Sequence, residues 1–429
     1  MPDLRSFLES LEEEGDLVRI DRAVSPKYEA TALMKEYDGK KALLFERLAG
    51  RKAVVGICGT KRRLSKALGV PAEKTRQFLM ESIRNPREPS MTKKYKAKTE
   101  LAGLTELPIL THFEKDAGPY LTSAIVSAKI PKESGENVSI HRLMVINDNQ
   151  LAIRIVPRHL HQICQMAREL GRSSLDVGIA VGLHPAVLLA ASSPAAFGVS
   201  EYAVANRLMG DLEVVDCESV DARVPAEAEI VIEGKIALNK QVDEGPFVDI
   251  TGTYDIVRKQ PIIRVEKILC RQDYLYHALL PSGSEHGLLM GFPQEAKIAE
   301  SVAGVVPRVR DVNLTRGGCH WLHAAVSIDK QTEGDAKNAI LAAFAGHPSL
   351  KHVVIVDPDV DVNDSEQVEW AIATRFQGNR GMVIVSDARG SSLDASGNQD
   401  LSLTTKVGID ATRSFLKPKE KFEKARIPS

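Results

Sequence analysis

Cysteine is sparse and has no paired spacing. Cys58, Cys164, Cys217, Cys270 and Cys319 are odd in number, far apart and never in a CxxC pair. That pattern excludes a disulfide framework, argues against structural zinc and suits a reducing compartment, so a cytoplasmic protein is expected. Neither sign of charge is in excess: 56 Lys and Arg against 57 Asp and Glu leave a net charge of −1. No global field for nucleic acid exists. The opening MPDLRSFLESLEEEGDL lacks the apolar core of a signal peptide. One long uncharged run, 177–200, is interrupted by Gly178, Gly182, His184, Pro185, Pro194 and Gly198. A buried strand, a turn and a second buried segment are expected there, not a membrane span. Also missing are GxxxxGK[ST], a GxGxxG opening a helix, GxSxG and HExxH, which sets aside kinase, Rossmann dehydrogenase, serine hydrolase and zincin chemistry.

What is present is enough chain for two or three domains: 429 residues, 43% of them apolar. Residues 1–100 read as a small N-terminal α/β domain and linker, with helices at 3–14 and 74–83, strands at 17–20, 42–45 and 53–56, and a polar surface linker over 85–100. Residues 101–300 are strand-rich, with runs at 120–128, 143–146, 151–155, 228–236 and 261–269 and helices at 159–170 and 201–208. A split β-barrel with helices outside fits that pattern. Residues 301–429 alternate helix and strand, with helices expected at 293–305, 335–345 and 366–374 and strands at 321–328, 352–356 and 382–385, as in a C-terminal α/β domain. The polar tail 417–429 is expected to fray or to dock on another subunit. The fold class is therefore α/β in the broad sense, including α+β.

Four clusters could carry chemistry. Glu244-Gly-Pro-Phe-Val-Asp249 puts two carboxylates around a Gly-Pro turn, a way to separate a proton donor from a charge partner; a solvated turn with surface acids accounts for the same spacing. Asn137-Val-Ser-Ile-His-Arg142 ends in an arginine suited to gripping a carboxylate or phosphate, or to pairing with a surface acid. Arg158-His159-Leu-His161 opens a helix, where an anion, a metal or a simple cap would fit. Glu201 follows the uncharged run, as a metal ligand or a helix N-terminal acid. Asn137, His159 and Glu201 together would suit a hard divalent ion such as manganese or magnesium. Cys319, His320 and His323 form a competing trio, expected to lie on a strand edge and point to different faces.

The order of these clusters, NxSIxR, PxH, SSP with a glutamate seven residues beyond its proline, EGPFxD with TG, SEHGLLMG and KVGIDAT, resembles the UbiD-like decarboxylases, which use prenylated FMN. The resemblance spans essentially the whole chain. It implies a catalytic set of Arg142, Glu244 and Asp249. It implies metal ligands Asn137, His159 and Glu201 bridging the cofactor phosphate, and potassium near the carbonyls of Ala191 and Ser193. Cofactor contacts are implied at Asn137, Ile140, His141, Arg142, Arg158, His159, Ser193, Pro194, Glu201 and Lys406, and a substrate contact at His286. In such enzymes the prenylated ring adds across a double bond beside the carboxylate, carbon dioxide leaves and an acid reprotonates the carbon; here that acid would be Asp249, with Glu244 holding Arg142. The last acid is Asp in place of Glu, and Val248 stands where a small Gly is usual, which alters the pocket's shape. At 429 residues the chain is similar to short, archaeal-type members, so a phosphorylated branched enoic acid is the expected substrate, with Arg154, Arg158, His141 and His286 as candidate phosphate partners. A hydroxybenzoate is the alternative, though only 5% of residues are aromatic and could form a stacking wall; a non-catalytic flavin-binding protein would have a broken Arg-Glu-acid set. A flavin prenyltransferase would supply the cofactor. The expected assembly is a homodimer or homohexamer with no nucleic-acid or membrane partner.

Overall fold

The computed structural model describes residues 3–93, 95–133, 135–422 and 425. It divides into two compact units, Met1–Leu289 and Met290–Ser429.

In the first unit, helix Leu4–Glu13 buries Leu4, Phe7, Leu8 and Leu11, the spacing of one helical face, and is capped by Asp3 in a capping box with Ser6. The four-stranded sheet beside it runs in the order Leu17–Val24, Ala42–Leu48, Arg51–Val55, Leu275–His277. Its fourth strand returns from far along the chain, so the expected N-terminal domain shares one unit with the middle of the protein. Two helices went unread in the sequence, Glu29–Tyr37 and Lys61–Leu68. The second is half basic, and its buried face combines Arg63 and Ser65 with Leu64 and Leu68; Thr60 caps its start and Gly69, at φ +63°, ends it. The 85–100 stretch is not a free linker. Ser90–Met91 pairs with Glu213–Asp216 and Thr99–Glu100 with Arg258–Cys270, while Asn206 Nδ2 donates to the carbonyls of Arg87 and Glu88. Lys94 lies outside the described residues.

The middle of the chain forms a nine-stranded sheet. Along its main path, Tyr120–Leu121, Leu143–Asn147, Gln150–Ile153, Arg258–Cys270, Ile230–Glu244, Ser174–Val181, Ile125–Lys129 and Glu136–Ile140 follow one another as neighbours. Strands Glu136–Ile140 and Leu143–Asn147 stand six steps apart in that order, which in a flat sheet is ~29 Å. Only His141 and Arg142 join them, and three Cα steps reach at most ~11 Å. The sheet must therefore roll into the expected split barrel, and His141 and Arg142 sit at its seam. The uncharged run resolves into strand Ser174–Val181 and helix Pro185–Ala191, all seven of whose residues are buried. Among the described residues no helix is long and apolar enough to cross a membrane.

The second unit is a five-stranded sheet ordered Val309–Leu314, His323–Ile328, His352–Val356, Leu403–Asp410, Met382–Arg389, with helices Asp335–Gly346 and Ser365–Arg375. The helix expected to start at 293 starts at Ser284 and carries Pro293 inside it. Cys319 and His320 do not lie on a strand edge. They turn through positive φ, 60° and 50°, and His320 Nδ1 meets the Leu314 carbonyl. Among the described residues no group of three His, Cys, Asp or Glu could hold a metal. Of the polar tail, residues 423, 424 and 426–429 lie outside the described residues.

Candidate active site

Strand Glu136–Ile140 organises one half of the site. Alternation along a strand puts Asn137 and Ser139 on one face and Val138, fully buried, on the other. Helices His159–Glu169, Pro185–Ala191 and Glu201–Met209 all pack against this strand, and His159 and Glu201 are the first residues of two of them. Ser200 caps the latter helix, accepting from Tyr202 N at 3.2 Å and donating to buried Glu136 at 2.8 Å. The Glu201 carboxylate is buried and accepts the Val138 N–H at 2.7 Å. Burial pushes its pKa up to about 8, and Glu136 adds to the rise. Asn137 Nδ2 lies 2.9 Å from Ser139 Oγ, and the His159 ring stands edge-on to Phe197 at 5.5 Å, its pKa lowered by burial and by Arg158. Ser193 Oγ, just past helix Pro185–Ala191, is buried with no partner among the described residues. An amide, an imidazole and a buried carboxylate fit a hard divalent ion, and an orphaned buried hydroxyl on Ser193 fits an anionic group.

Arg142, at the seam, organises the other half. Its Nε and Nη2 donate to Glu244 Oε1 and Oε2, both at 2.9 Å, Nη1 donates to Asp249 at 2.7 Å, and Nη2 also donates to Asp255 at 3.0 Å. Burial opposes the guanidinium charge, but the neighbouring carboxylates, Glu244 foremost, outweigh it and raise its pKa. Glu244 ends the fifteen-residue strand Ile230–Glu244. The chain then turns at Gly245, whose φ of +94° favours glycine, and enters a hairpin of Phe247–Val248 against Tyr254–Asp255. The hairpin aims Asp249 and Asp255 at Arg142 from its two arms, and the Phe247 ring lies 5.1 Å from the guanidinium. Tyr120 Oη accepts the Gly245 N–H at 3.2 Å and fixes the turn. Sequence reading missed Asp255, Phe247 and Tyr120; the apolar-polar alternation on either side of the Thr251-Gly252 turn was the available signal for a hairpin that pairs Phe247 with Asp255.

Other expected residues fall around these halves. His286 lies close enough to feel both Asp249 and Arg142; burial lowers its pKa, and its Nδ1 accepts from Ser282 N at 3.1 Å. His141 bridges Ser139 Oγ and the Arg154 carbonyl, each at 2.9 Å, and burial pulls its pKa down to about 4. Arg154 Nε is 3.7 Å from Asp255, and burial lowers its pKa. Ile140 is half-buried, and Arg158 and Pro194 are exposed. Lys406 belongs to the second unit, where its Nζ donates to the carbonyls of Pro348 at 2.6 Å and Leu350 at 2.8 Å. Burial lowers its pKa to about 8. Two of its three N–H donors are taken by main-chain carbonyls.

Residues 8–83, 83–284 and 287–411 match the N-terminal, Rift-related and C-terminal domains of 3-octaprenyl-4-hydroxybenzoate carboxy-lyase. The chain belongs to the UbiD family and is a decarboxylase of that class. It is 46% identical over 424 residues to the anhydromevalonate phosphate decarboxylase of Methanothermobacter thermautotrophicus, covering 98% of this chain and 99% of that protein. It is also 46% identical over 432 residues to the Methanosarcina mazei protein of the same name, covering 99% of each. Among solved structures, the UbiD-class enzyme HmfF from Pelotomaculum thermopropionicum in complex with FMN superposes with a TM-score of 0.97 at 41% identity, covering 100% of this chain and 98% of that one.

Proposed function

We propose that the protein converts trans-anhydromevalonate 5-phosphate to isopentenyl phosphate and carbon dioxide with prenylated FMN. The observation that carries the reaction is the buried clamp on Arg142; two archaeal relatives bearing that substrate in their names, matched over nearly their full length, support the choice of acid. Four of the five guanidinium N–H donors are engaged, so one on Nη1 is left for a substrate carboxylate. Asp249 is the more open of the two acids, its side chain 17% exposed against 0% for Glu244. Its Oδ1 is held by Ile250 N at 2.7 Å and its Oδ2 by Arg142. A carboxylate on the remaining Nη1 N–H lies next to Asp249 Oδ2, which is placed to carry the proton that replaces carbon dioxide. Bound prenylated FMN supplies the reactive carbon centre and electron sink that make loss of carbon dioxide from an unsaturated acid feasible.

Asn137, His159 and Glu201 would hold manganese or magnesium at the cofactor phosphate. The carbonyls of Ala191 and Ser193, at the negative end of helix Pro185–Ala191, would hold potassium. With Nδ1 accepting, His286 carries its proton on Nε2 and offers it to substrate. Arg154 has the longest carboxylate contact of the three arginines around Asp255, at 3.7 Å against 3.0 Å for Arg142 and 2.9 Å for Arg258, and is the cation most available to a phosphate tail. A flavin prenyltransferase supplies the cofactor, and the chain works as a homodimer or homohexamer in the cytoplasm.

A hydroxybenzoate is the second reading. Apo 3,4-dihydroxybenzoic acid decarboxylase from Klebsiella pneumoniae superposes with a TM-score of 0.92, but at 25% identity. The intact Arg-Glu-Asp clamp speaks against a non-catalytic flavin-binding role. The test is turnover of the phosphorylated acid by protein produced with and without a flavin prenyltransferase. Carbon dioxide release only from the co-produced protein is expected; equal release with plain FMN overturns the cofactor, and no release from either overturns the substrate.

A further inference from the structure

An amide side chain presents an oxygen on one branch and an NH2 on the other, nearly identical in shape, and only the oxygen can bind a hard cation. Whatever fixes the Asn137 amide therefore decides whether the proposed metal site is competent. We infer that Ser139 and His141 are positioning residues that turn the Asn137 oxygen toward the metal site. This rests on the proposed role of Asn137 as a ligand.

The order of donors and acceptors is set at the far end of a chain of contacts. His141 Nδ1 faces the Arg154 main-chain carbonyl at 2.9 Å. A carbonyl only accepts, so Nδ1 carries the proton. The imidazole is neutral, so Nε2 has no proton and must accept, and its neighbour at 2.9 Å is Ser139 Oγ. The serine has one hydroxyl proton and spends it there. Its remaining lone pairs can only accept, and the group 2.9 Å away is Asn137 Nδ2. The amide nitrogen is thus pinned to Ser139 and Oδ1 faces away from it. Strand alternation makes this possible: Asn137, Ser139 and His141 fall at i, i+2 and i+4, and the His141 main-chain N–H bonds the Ala124 carbonyl at 3.0 Å, fixing the seam.

The test is Mn(II) affinity of the full chain with FMN present, read from the spin-resonance signal of free Mn(II), which requires no turnover. N137A should weaken binding. S139A and H141A should each weaken it by about 10- to 100-fold, the usual effect of losing a group that orients a ligand, while S139T, which keeps the hydroxyl, should bind as the parent does. An aspartate has oxygen on both branches and needs no orienting, so in an N137D background H141A should shift affinity by less than about threefold. No effect of H141A beside Asn137 overturns the inference, and so does an equal loss beside either residue, because that marks a general structural defect. Unchanged affinity in N137A would instead remove Asn137 from the ligand set, and the inference with it.

Discussion

Replacing each acid of the clamp by its amide separates the role of Glu244 from that of Asp249. Glu244 is fully buried and accepts two N–H groups from Arg142. In Glu244→Gln one branch still accepts, but the other turns an NH2 toward a guanidinium donor. One charge-assisted bond is lost and one buried donor is orphaned, which together cost about 3 kcal/mol. Asp249 and Asp255 still balance the Arg142 charge, so the loss stays at the low end of what breaking a buried pair costs. At ~2–4 °C per kcal/mol for a unit of this size, the melting temperature should fall by roughly 6–12 °C. Asp249→Asn differs, because the site is partly open and the remaining oxygen still accepts the Ile250 N–H; about 1 kcal/mol, or roughly 2–4 °C, is expected. Both variants should lose about 10²- to 10⁴-fold in turnover while retaining the flavin absorbance of bound cofactor. Calorimetric melting and carbon dioxide release on the same preparations make the comparison. Equal falls in melting temperature, or wild-type turnover in Asp249→Asn, would refute the division of roles.

Asp255→Asn removes a carboxylate that three guanidinium groups face; a loss of about 3 kcal/mol is expected, and a melting temperature within about 2 °C of the parent, a loss of no more than about 1 kcal/mol, would contradict it. His286→Ala should raise KM for the phosphorylated acid more than it lowers kcat, and an unchanged KM in steady-state assays would remove His286 from the substrate site. His112 is buried with neither ring nitrogen partnered among the described residues, and burial pulls its pKa from 6.5 to about 3. The unfolded chain therefore binds the extra proton, so the stability His112 contributes is fully present above about pH 6.5 and is lost as pH falls toward 3. Between pH 7 and pH 5 that loss is about 2 kcal/mol, and His112→Phe should flatten the acid limb of denaturant unfolding by that amount; an identical slope would contradict it. Mass measurement in solution should give a dimer or hexamer, and monomer alone would remove the expected assembly.

Periodicity made the amphipathic first helix and the long barrel strands legible, because Leu4, Phe7, Leu8 and Leu11 or an alternating apolar face leave a local pattern. Lys61–Leu68 hid because its buried face includes Arg63, paired with Asp16, and Ser65 beside two leucines, and because its limits rest on Thr60 and Gly69. The barrel's closure is legible only from pairing order: nothing in His141-Arg142 as letters says that the two residues span a seam. The ordered motifs pointed to Arg142, Glu244 and Asp249, and the structure puts them in contact. Asp255 escaped because its partner is set by hairpin register, a long-range fact, and its Asp is one of many acids in sequence. Lys406 shows surroundings the letters could not give. A lysine near an expected phosphate reads as an anion contact, and the fold adds two carbonyls and the Phe344 ring around its ammonium.

The most direct test of the central claim is a side-by-side assay of the cofactor-loaded protein on trans-anhydromevalonate 5-phosphate and a hydroxybenzoate, recording carbon dioxide and product mass. Conversion of the phosphorylated acid to isopentenyl phosphate, with little or no aromatic product, is the predicted result. Conversion of the hydroxybenzoate alone would contradict it.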